Sequence, residues 1–393
     1  MMIQFDYFIP TKILFGAGKL AELASVSLPG KKALIVISQG ASMKKFGYLE
    51  KVISLLKQNN TDSVVFDKIL PNPIKEHVME GAELAKKEGC DFILGLGGGS
   101  SIDSAKSIAV MAANPGDYWD YISGGSGGGK PVRARPLPVV AITTTAGTGT
   151  EADPWTVITN GNEKIGFGMI PDTMPVLAIV DPELMTSVPP KLTAYQGFDA
   201  LFHSTEGYIS KTANPVSDLY ALKSISLIFK SLARAVRDGG DLKAREDVAL
   251  ANTLSGMVES TSSCTSEHSM EHALSAHHSD LAHGAGLIML SEAYYSFFAS
   301  KAPERFADMA RAAGVNVDAL PENERAMSFV DALVRLQKDC GVDGLKMSDY
   351  GIQKSDIPML VKNARDTMGG LFACDPCALS DNDVEAIMKA AYK

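Results

Sequence analysis

Phe92-Ile93-Leu94-Gly95-Leu96-Gly97-Gly98-Gly99-Ser100-Ser101-Ile102-Asp103 decides how the first half of this chain is read. Phe92 to Leu96 is a short apolar run, the pattern of a strand buried on both faces. Ser101 to Ala113 follows with helical spacing. The glycines between them carry no Cβ, so a phosphate can approach the backbone N–H groups at the positive end of the helix. Ser100 with Asp103 three residues on also matches a capping box. The spacing is not G-x-G-x-x-G, so by itself it leaves nucleotide binding and a capped helix start both open.

Upstream, Lys32 to Ser38 reads as a second buried strand, Leu49 to Gln58 as a helix, Ser63 to Phe66 as a short strand, and Ile74 to Glu88 as a helix stopped by Gly89. Downstream, Pro138 to Ile142 and Val176 to Val180 read as strands. Strands alternating with helices predict a mostly parallel sheet covered on both faces, a Rossmann-like α/β domain. Pro138 to Ile142 runs into Thr143-Thr144-Thr145-Ala146-Gly147-Thr148-Gly149-Thr150-Glu151, whose hydroxyls offer neutral donors to a phosphate or a carboxamide. Two small-residue turns at the ends of parallel strands lie where open sheets bind ligands, and together they strengthen the nucleotide reading. Ser123 to Gly129 follows no strand, opens no helix, and reads as a mobile loop.

After Pro189-Pro190 the strand-like runs give way to helical ones. Ser217 is placed to cap a helix with Leu219, Leu222, Ile225, Ile228 and Leu232 along one face, ended by Gly239-Gly240. The expected division is an α/β nucleotide-binding domain over 1–187 and an all-helical metal-binding domain over 188–393. A chain of 393 residues is long enough for both. Its 46% hydrophobic and 21% charged residues supply large cores and argue against disorder. A net charge of -9 argues against a nucleic-acid partner.

No run approaches the ~20 apolar residues of a membrane helix, and the first ten residues lack the basic and apolar segments of a secretion signal. Five cysteines, an odd number, suit a reducing cytoplasm better than a disulfide framework. Cys374-Asp375-Pro376-Cys377 has CxxC spacing but no second pair, and reads as a structural segment.

Six of the seven histidines lie between residues 203 and 283, and only His77 lies outside. Asp199 and His203 are four apart on an expected helix, as are His268 and His272, so each pair shares a face. His277, His278 and His283 follow. One carboxylate with several imidazoles suits Fe²⁺ or Zn²⁺, but spacing alone does not select four ligands from this surplus. A divalent ion working with a nicotinamide implies alcohol–carbonyl interconversion, in which the ion lowers the alcohol's pKa and hydride passes to the cofactor.

At this point the chain resembles the iron-containing (group III) alcohol dehydrogenases along almost its whole length. The resemblance rests on Phe8-Ile9-Pro10-Thr11, Phe15-Gly16-Ala17-Gly18, Pro71-Asn72-Pro73, the GGGSSID run, the TTTAGTGTE run, Asp181-Pro182, Gly197 to Glu206, and His268 to Leu274 through His283-Gly284. It implies a two-domain fold like that of dehydroquinate synthase. It implies metal ligands at Asp199, His203, His268 and His283, with His272 beside them as a proton relay, and neither His277 nor His278 as a ligand. It implies cofactor contacts at Asn72, Gly98, Gly99, Ser100, Asp103, Thr143, Thr144, Thr148, Val157 and Lys164. Homo-oligomers, dimers or larger, are common in that family.

Three features depart from it. Ser38 stands where many NAD-using members carry an Asp for the adenosine ribose, which leaves room for NADP as well as NAD. Ser260 to Glu267 is unusually rich in hydroxyls and is expected to make a polar pocket, suited to a diol, a hydroxyacid or an anionic aldehyde. The ligand types do not separate Fe²⁺ from Zn²⁺. The expected function is therefore a metal-dependent, NAD(P)-linked alcohol dehydrogenase or aldehyde reductase acting on a small molecule. The alternative is an NAD- and metal-dependent lyase of the dehydroquinate synthase type, against which the scarcity of Lys and Arg near the histidines counts. A non-catalytic metal-binding protein fits less well, since a full ligand set accompanies a full cofactor site.

Overall fold

The computed structural model describes residues 4–393. Backbone proximity divides them into two compact units. One comprises Phe8–Gly161 with Ile165–Ser187; the other comprises Val188–Lys393 with Asn162–Lys164 and the residues up to Tyr7.

The first unit holds a six-stranded sheet of β1 (Lys12–Phe15), β2 (Lys32–Ser38), β3 (Asp62–Ile69), β4 (Phe92–Gly97), β5 (Val139–Thr143) and β8 (Leu177–Val180). The spatial order is β1-β8-β5-β4-β2-β3, and every pairing is parallel. Burial on both faces explains the near-continuous apolar runs: Leu34, Ile35, Leu94, Leu96, Val140 and Ile142 are all without solvent access, each contributing roughly 1.5–3 kcal/mol. The chain runs outward from β2 to β3, then crosses back to lay β4 on the other side of β2. That reversal opens a crevice at the carboxyl ends of β2 and β4, where Ser38 and Gly97 sit.

All five strands expected from sequence are present. Three further strands are β1 and the pair β6 (Thr156–Asn160) and β7 (Glu163–Phe167), which form a separate two-stranded sheet. The helix after β4 spans Gly99–Ala113 and lies directly on the sheet, because a Cβ on Gly95 would sit 2.9 Å from the Ile102 Cα. The capping box expected of Ser100 and Asp103 does not form. Gly98 is the N-cap and has no side chain to offer; Ser100 Oγ donates instead to the Pro71 carbonyl, and Asp103 is buried in other bonds. Ser123 to Gly129 is pinned rather than loose, with backbone bonds from Gly128 to Trp119 and from Gly129 to Ile122, and with Trp119 Nε1 donating to Ser126 Oγ at 3.1 Å.

The second unit is helical apart from its three β7-region residues. Its longest helices are Pro190–Ile209, Pro215–Arg237, Leu242–Thr261, His283–Ala299 and Ile357–Cys374, with Ser266–His277 packed against the last two. Phe198, Phe202, Tyr294, Tyr295, Phe298, Phe306 and Phe329 are fully buried aromatics of its core. One expectation is corrected here. The cap of Pro215–Arg237 is Asn214, whose side chain accepts from the N–H groups of Val216 and Ser217, and Ser217 returns the bond to the Asn214 N–H. The buried stripe of that helix runs through Ala221, Ser224, Ile225, Ile228, Ser231 and Leu232, whereas Leu219 is 71% exposed.

Candidate active site

Pro189-Pro190 sets the start of the 20-residue helix Pro190–Ile209, with proline at its first position where no N–H is needed. Asp199, His203 and Glu206 follow one another at i, i+4 and i+7 on one face. His268 and His272 project from Ser266–His277, and His283 opens the helix His283–Ala299. Gly284 permits that arrangement, since a Cβ there would lie 2.2 Å from the Tyr195 carbonyl oxygen of the facing helix.

These elements bring three imidazoles onto one carboxylate oxygen. Nε2 of His203 and Nε2 of His268 lie 3.7 Å from Asp199 Oδ1, and Nε2 of His283 lies 3.4 Å from it. Asp199 Oδ1 and His268 Nε2 are buried without a hydrogen-bond partner, an arrangement costing roughly 1–3 kcal/mol per group unless something between them is satisfied. A tetrahedral ion with arms of about 2.1 Å spaces its ligand atoms about 3.4 Å apart. The four residues therefore fit a divalent ion in separation, burial and donor type.

Electrostatics agree. Burial works against the charged form of Asp199, yet His203 and His283 beside it outweigh that and hold its carboxyl well below the usual range. Burial also opposes the charged form of His268, but Cys264, Glu206 and Asp199 outweigh it and raise that ring. His272 is different. It is nearly inaccessible, its Nδ1 has no partner, and burial together with Lys164 and the neighbouring rings pushes it well below the usual imidazole range. Its ring centroid is 5.4 Å from that of His283. His277 and His278 belong to no ligand cluster among the described residues.

Three glutamates were not singled out from sequence. Glu206 accepts from Nδ1 of His268, Glu271 accepts from Nδ1 of His283, and Glu259 Oε1 lies 3.4 Å from Nδ1 of His203. The signal was the repeated His-x-x-Glu of His203 to Glu206 and His268 to Glu271, in which each glutamate serves the next histidine of the Asp199 cluster along the chain. Lys164, expected at the cofactor, places its buried ammonium 2.8 Å from Ser275 Oγ and 3.5 Å from Glu271 Oε2. The hydroxyl-rich segment is also used internally. Thr265 donates to Glu206, Ser266 to Asp375, and Ser262 to the Gly207 carbonyl. Those hydroxyls are committed to the fold, which removes the main support for an unusually polar pocket.

The glycine turn is built around small residues. Gly97 has φ +147°, and a Cβ on Gly99 would meet Thr148 Cγ2 at 2.4 Å, so the threonine segment lies against the turn. Thr144 N–H donates to the Gly97 carbonyl at 2.9 Å, and Thr143 Oγ1 donates to the Thr145 carbonyl. Gly98, Gly99, Ser100, Thr143, Thr144 and Thr148 are thus gathered at the ends of β4 and β5. Asp103 and Val157 are joined to each other, Val157 N–H donating to Asp103 Oδ2 at 2.9 Å, while Thr150 holds Oδ1. Asn72 follows β3, and Ser38, half-buried, ends β2.

The parallel-sheet unit carries the glycine turn, and the helical unit carries the Asp/His₃ cluster. Residues 10–182 match the family model described as iron-containing alcohol dehydrogenase, and residues 193–392 match that for the C-terminal part of the Fe-containing alcohol dehydrogenase family. The chain is 36% identical over 395 residues to the 1,3-propanediol dehydrogenase of Citrobacter freundii, covering 99% of each. It is 35% identical to the NAD-dependent methanol dehydrogenase of Bacillus methanolicus, covering 98% of this chain and 99% of that one. The solved structure of an archaeal halo-thermophilic Red Sea brine pool alcohol dehydrogenase superposes with a TM-score of 0.93 at 34% identity, with 100% of both chains covered. The chain belongs to the iron-containing alcohol dehydrogenase family and is an oxidoreductase. The lyase alternative is not favoured, because these relatives are dehydrogenases.

Proposed function

We propose that Asp199, His203, His268 and His283 hold one divalent cation, Fe²⁺ with Zn²⁺ as the alternative, for hydride transfer between NAD and a short alcohol or its aldehyde. What carries this reading is the convergence of three Nε2 atoms on the partnerless Asp199 Oδ1. A divalent ion held there supplies a Lewis acid for an alcohol or carbonyl oxygen. His272, adjacent to the cluster, relays the hydroxyl proton.

Gly98, Gly99 and Ser100 receive the pyrophosphate at the helix N-terminus. Thr143, Thr144 and Thr148 flank the dinucleotide, with Asn72 and Ser38 nearer its adenosine end. Asp103 and Val157 shape the turn from behind, and Lys164 adds a positive charge. Ser38 brings no carboxylate to repel a 2′-phosphate, so NADP is accepted beside NAD. The 1,3-propanediol and methanol specificities of the named relatives point to small alkanols and diols. The setting is the cytoplasm, in keeping with five unbridged cysteines; among the described residues no helix is long and apolar enough to cross a membrane. Exposed Phe5, Tyr7 and Phe8 favour a homo-oligomer.

The test strips the protein with a chelator and reloads it with Fe²⁺ or Zn²⁺. Metal content and NADH or NADPH oxidation are then followed against short alkanals and hydroxyaldehydes. Activity should return only with metal, and Asp199→Asn should lower both metal occupancy and rate at least about a hundredfold. Full metal occupancy in Asp199→Asn would sink the ligand assignment.

A further inference from the structure

We infer that Glu206, Glu259 and Glu271 are positioning residues that lock the three ligand imidazoles in one tautomer, aiming every Nε2 lone pair at the same point. The inference rests on the metal reading proposed above. Each imidazole of the cluster faces Asp199 with Nε2 and a glutamate with Nδ1: His203 faces Glu259, His268 faces Glu206, and His283 faces Glu271.

A neutral imidazole has one N–H, and a carboxylate accepts but does not donate. Nδ1 must therefore carry the proton in all three rings, and Nε2 is left as the acceptor atom that coordinates an ion. Were the tautomer reversed in any ring, two lone pairs would face each other across the Nδ1 contact, and an N–H would point where the ion belongs.

The glutamates are themselves held. Glu206 accepts from the Thr265 N–H at 2.7 Å and from Thr265 Oγ1 at 2.9 Å. Glu271 has Lys164 Nζ at 3.5 Å, and Glu259 has Cys264 Sγ at 3.7 Å. Glu206 and Glu271 are without solvent access and Glu259 is 9% exposed. Space is cleared for one of them, since a Cβ on Gly286 would lie 2.8 Å from Glu271 Cγ. Four carboxylates and one ammonium, Lys164, thus share a buried volume. Enclosed carboxylates are costly unless counter-charges accompany them. A divalent ion among the Nε2 atoms supplies that counter-charge, and the carboxylates raise the donor strength of each ring toward it.

The role makes different predictions for the loaded and the stripped protein. In Glu206→Gln, Glu259→Gln and Glu271→Gln, zinc affinity measured by competition with a chromophoric chelator should fall 10–100-fold each. The thermal midpoint of the stripped variants should stay close to that of the stripped parent, because the Gln carbonyl still accepts a hydrogen bond from its ring. A glutamate that only props helices would lower the stripped midpoint and leave the affinity alone. Proton spectra of the zinc-loaded parent provide a second reading that needs no variant. Two strongly hydrogen-bonded Nδ1–H signals, from His268 and His283, should appear downfield of the amides, with the more weakly held His203 signal closer to them. Fewer than two such downfield signals, or affinities within twofold of the parent in all the variants, overturns the positioning role while zinc binding that depends on Asp199 stands. Zinc binding unchanged in Asp199→Asn overturns the metal reading itself, and this inference with it.

Discussion

Lys106 has no solvent access, yet its Nζ lies within bonding distance of four oxygens: Thr150 Oγ1 at 2.6 Å, the carbonyls of Asp153 and Trp155 at 2.9 and 2.7 Å, and Asp153 Oδ1 at 3.0 Å. A buried pair of this kind is weak as a source of stability, but removing one member leaves the other charge stranded. Lys106→Met should therefore cost about 3–5 kcal/mol in urea unfolding; a loss under about 1 kcal/mol would mean that Asp153 is protonated or wet. Asp103 beside it gives a pH dependence. Burial, the largest influence, raises its carboxyl from 3.8 to about 6 against the pull of Lys106 and Thr150. A carboxyl raised on folding contributes stability that is complete below the unfolded value and lost as pH climbs through the folded one. The parent should lose about 3 kcal/mol relative to Asp103→Asn between about pH 4 and pH 7; a gain over that window would reverse the assignment. The sequence gives no sign of Lys106 as a structural group, and Asp103 reads there as a capping-box partner or a cofactor contact, because spacing does not tell which way a polar side chain turns.

Among the elements, strength of pattern decided what could be read. β2, β4, β5 and β8 announced themselves because strands buried on both faces carry unbroken apolar runs. β1 escaped notice with only four residues, KILF, beginning on an exposed lysine. The β6–β7 pair was missed although Asn160-Gly161 marks it, with Gly161 at φ +59° and β-branched residues before it. Leu219 was read as buried because helical periodicity gives a face but not its limits. Two variants probe the helices. Gly284→Ala forces a methyl group against the Tyr195 carbonyl and should cost about 1–3 kcal/mol while also loosening metal binding at His283; an unchanged thermal midpoint would contradict the close packing. Asn214→Ala removes two bonds from the start of Pro215–Arg237 and should cost about 1 kcal/mol with no effect on metal affinity.

For the whole molecule, the metal site proposed above ties ion binding to folding. Four ligands drawn from three helices come together only in the folded state, so an ion that binds there stabilises the fold by mass action, about 2.7 kcal/mol at a hundred times its dissociation constant. Adding a chelator should lower the thermal midpoint of the loaded protein and leave the stripped protein unaffected. The two-part plan and the Asp/His₃ set were visible in the sequence, the latter only through family resemblance. The glutamate ring was not, since its members pair across 12 and 62 residues for Glu271 and Glu206 and only folding brings them to their rings. One such long-range contact has a consequence in time. The helix Ser266–His277 carries His268 and His272 but has no side-chain cap from Thr265; Asp375, 109 residues later, accepts from the Ser266 N–H in its place. At ~5–20 residues per second, a ribosome delivers that aspartate roughly 5–20 s after the helix itself. Through that interval all four proposed ligands have been synthesised while the start of the helix that carries two of the histidines is still unfastened, so the cluster is complete in sequence before it is complete in structure.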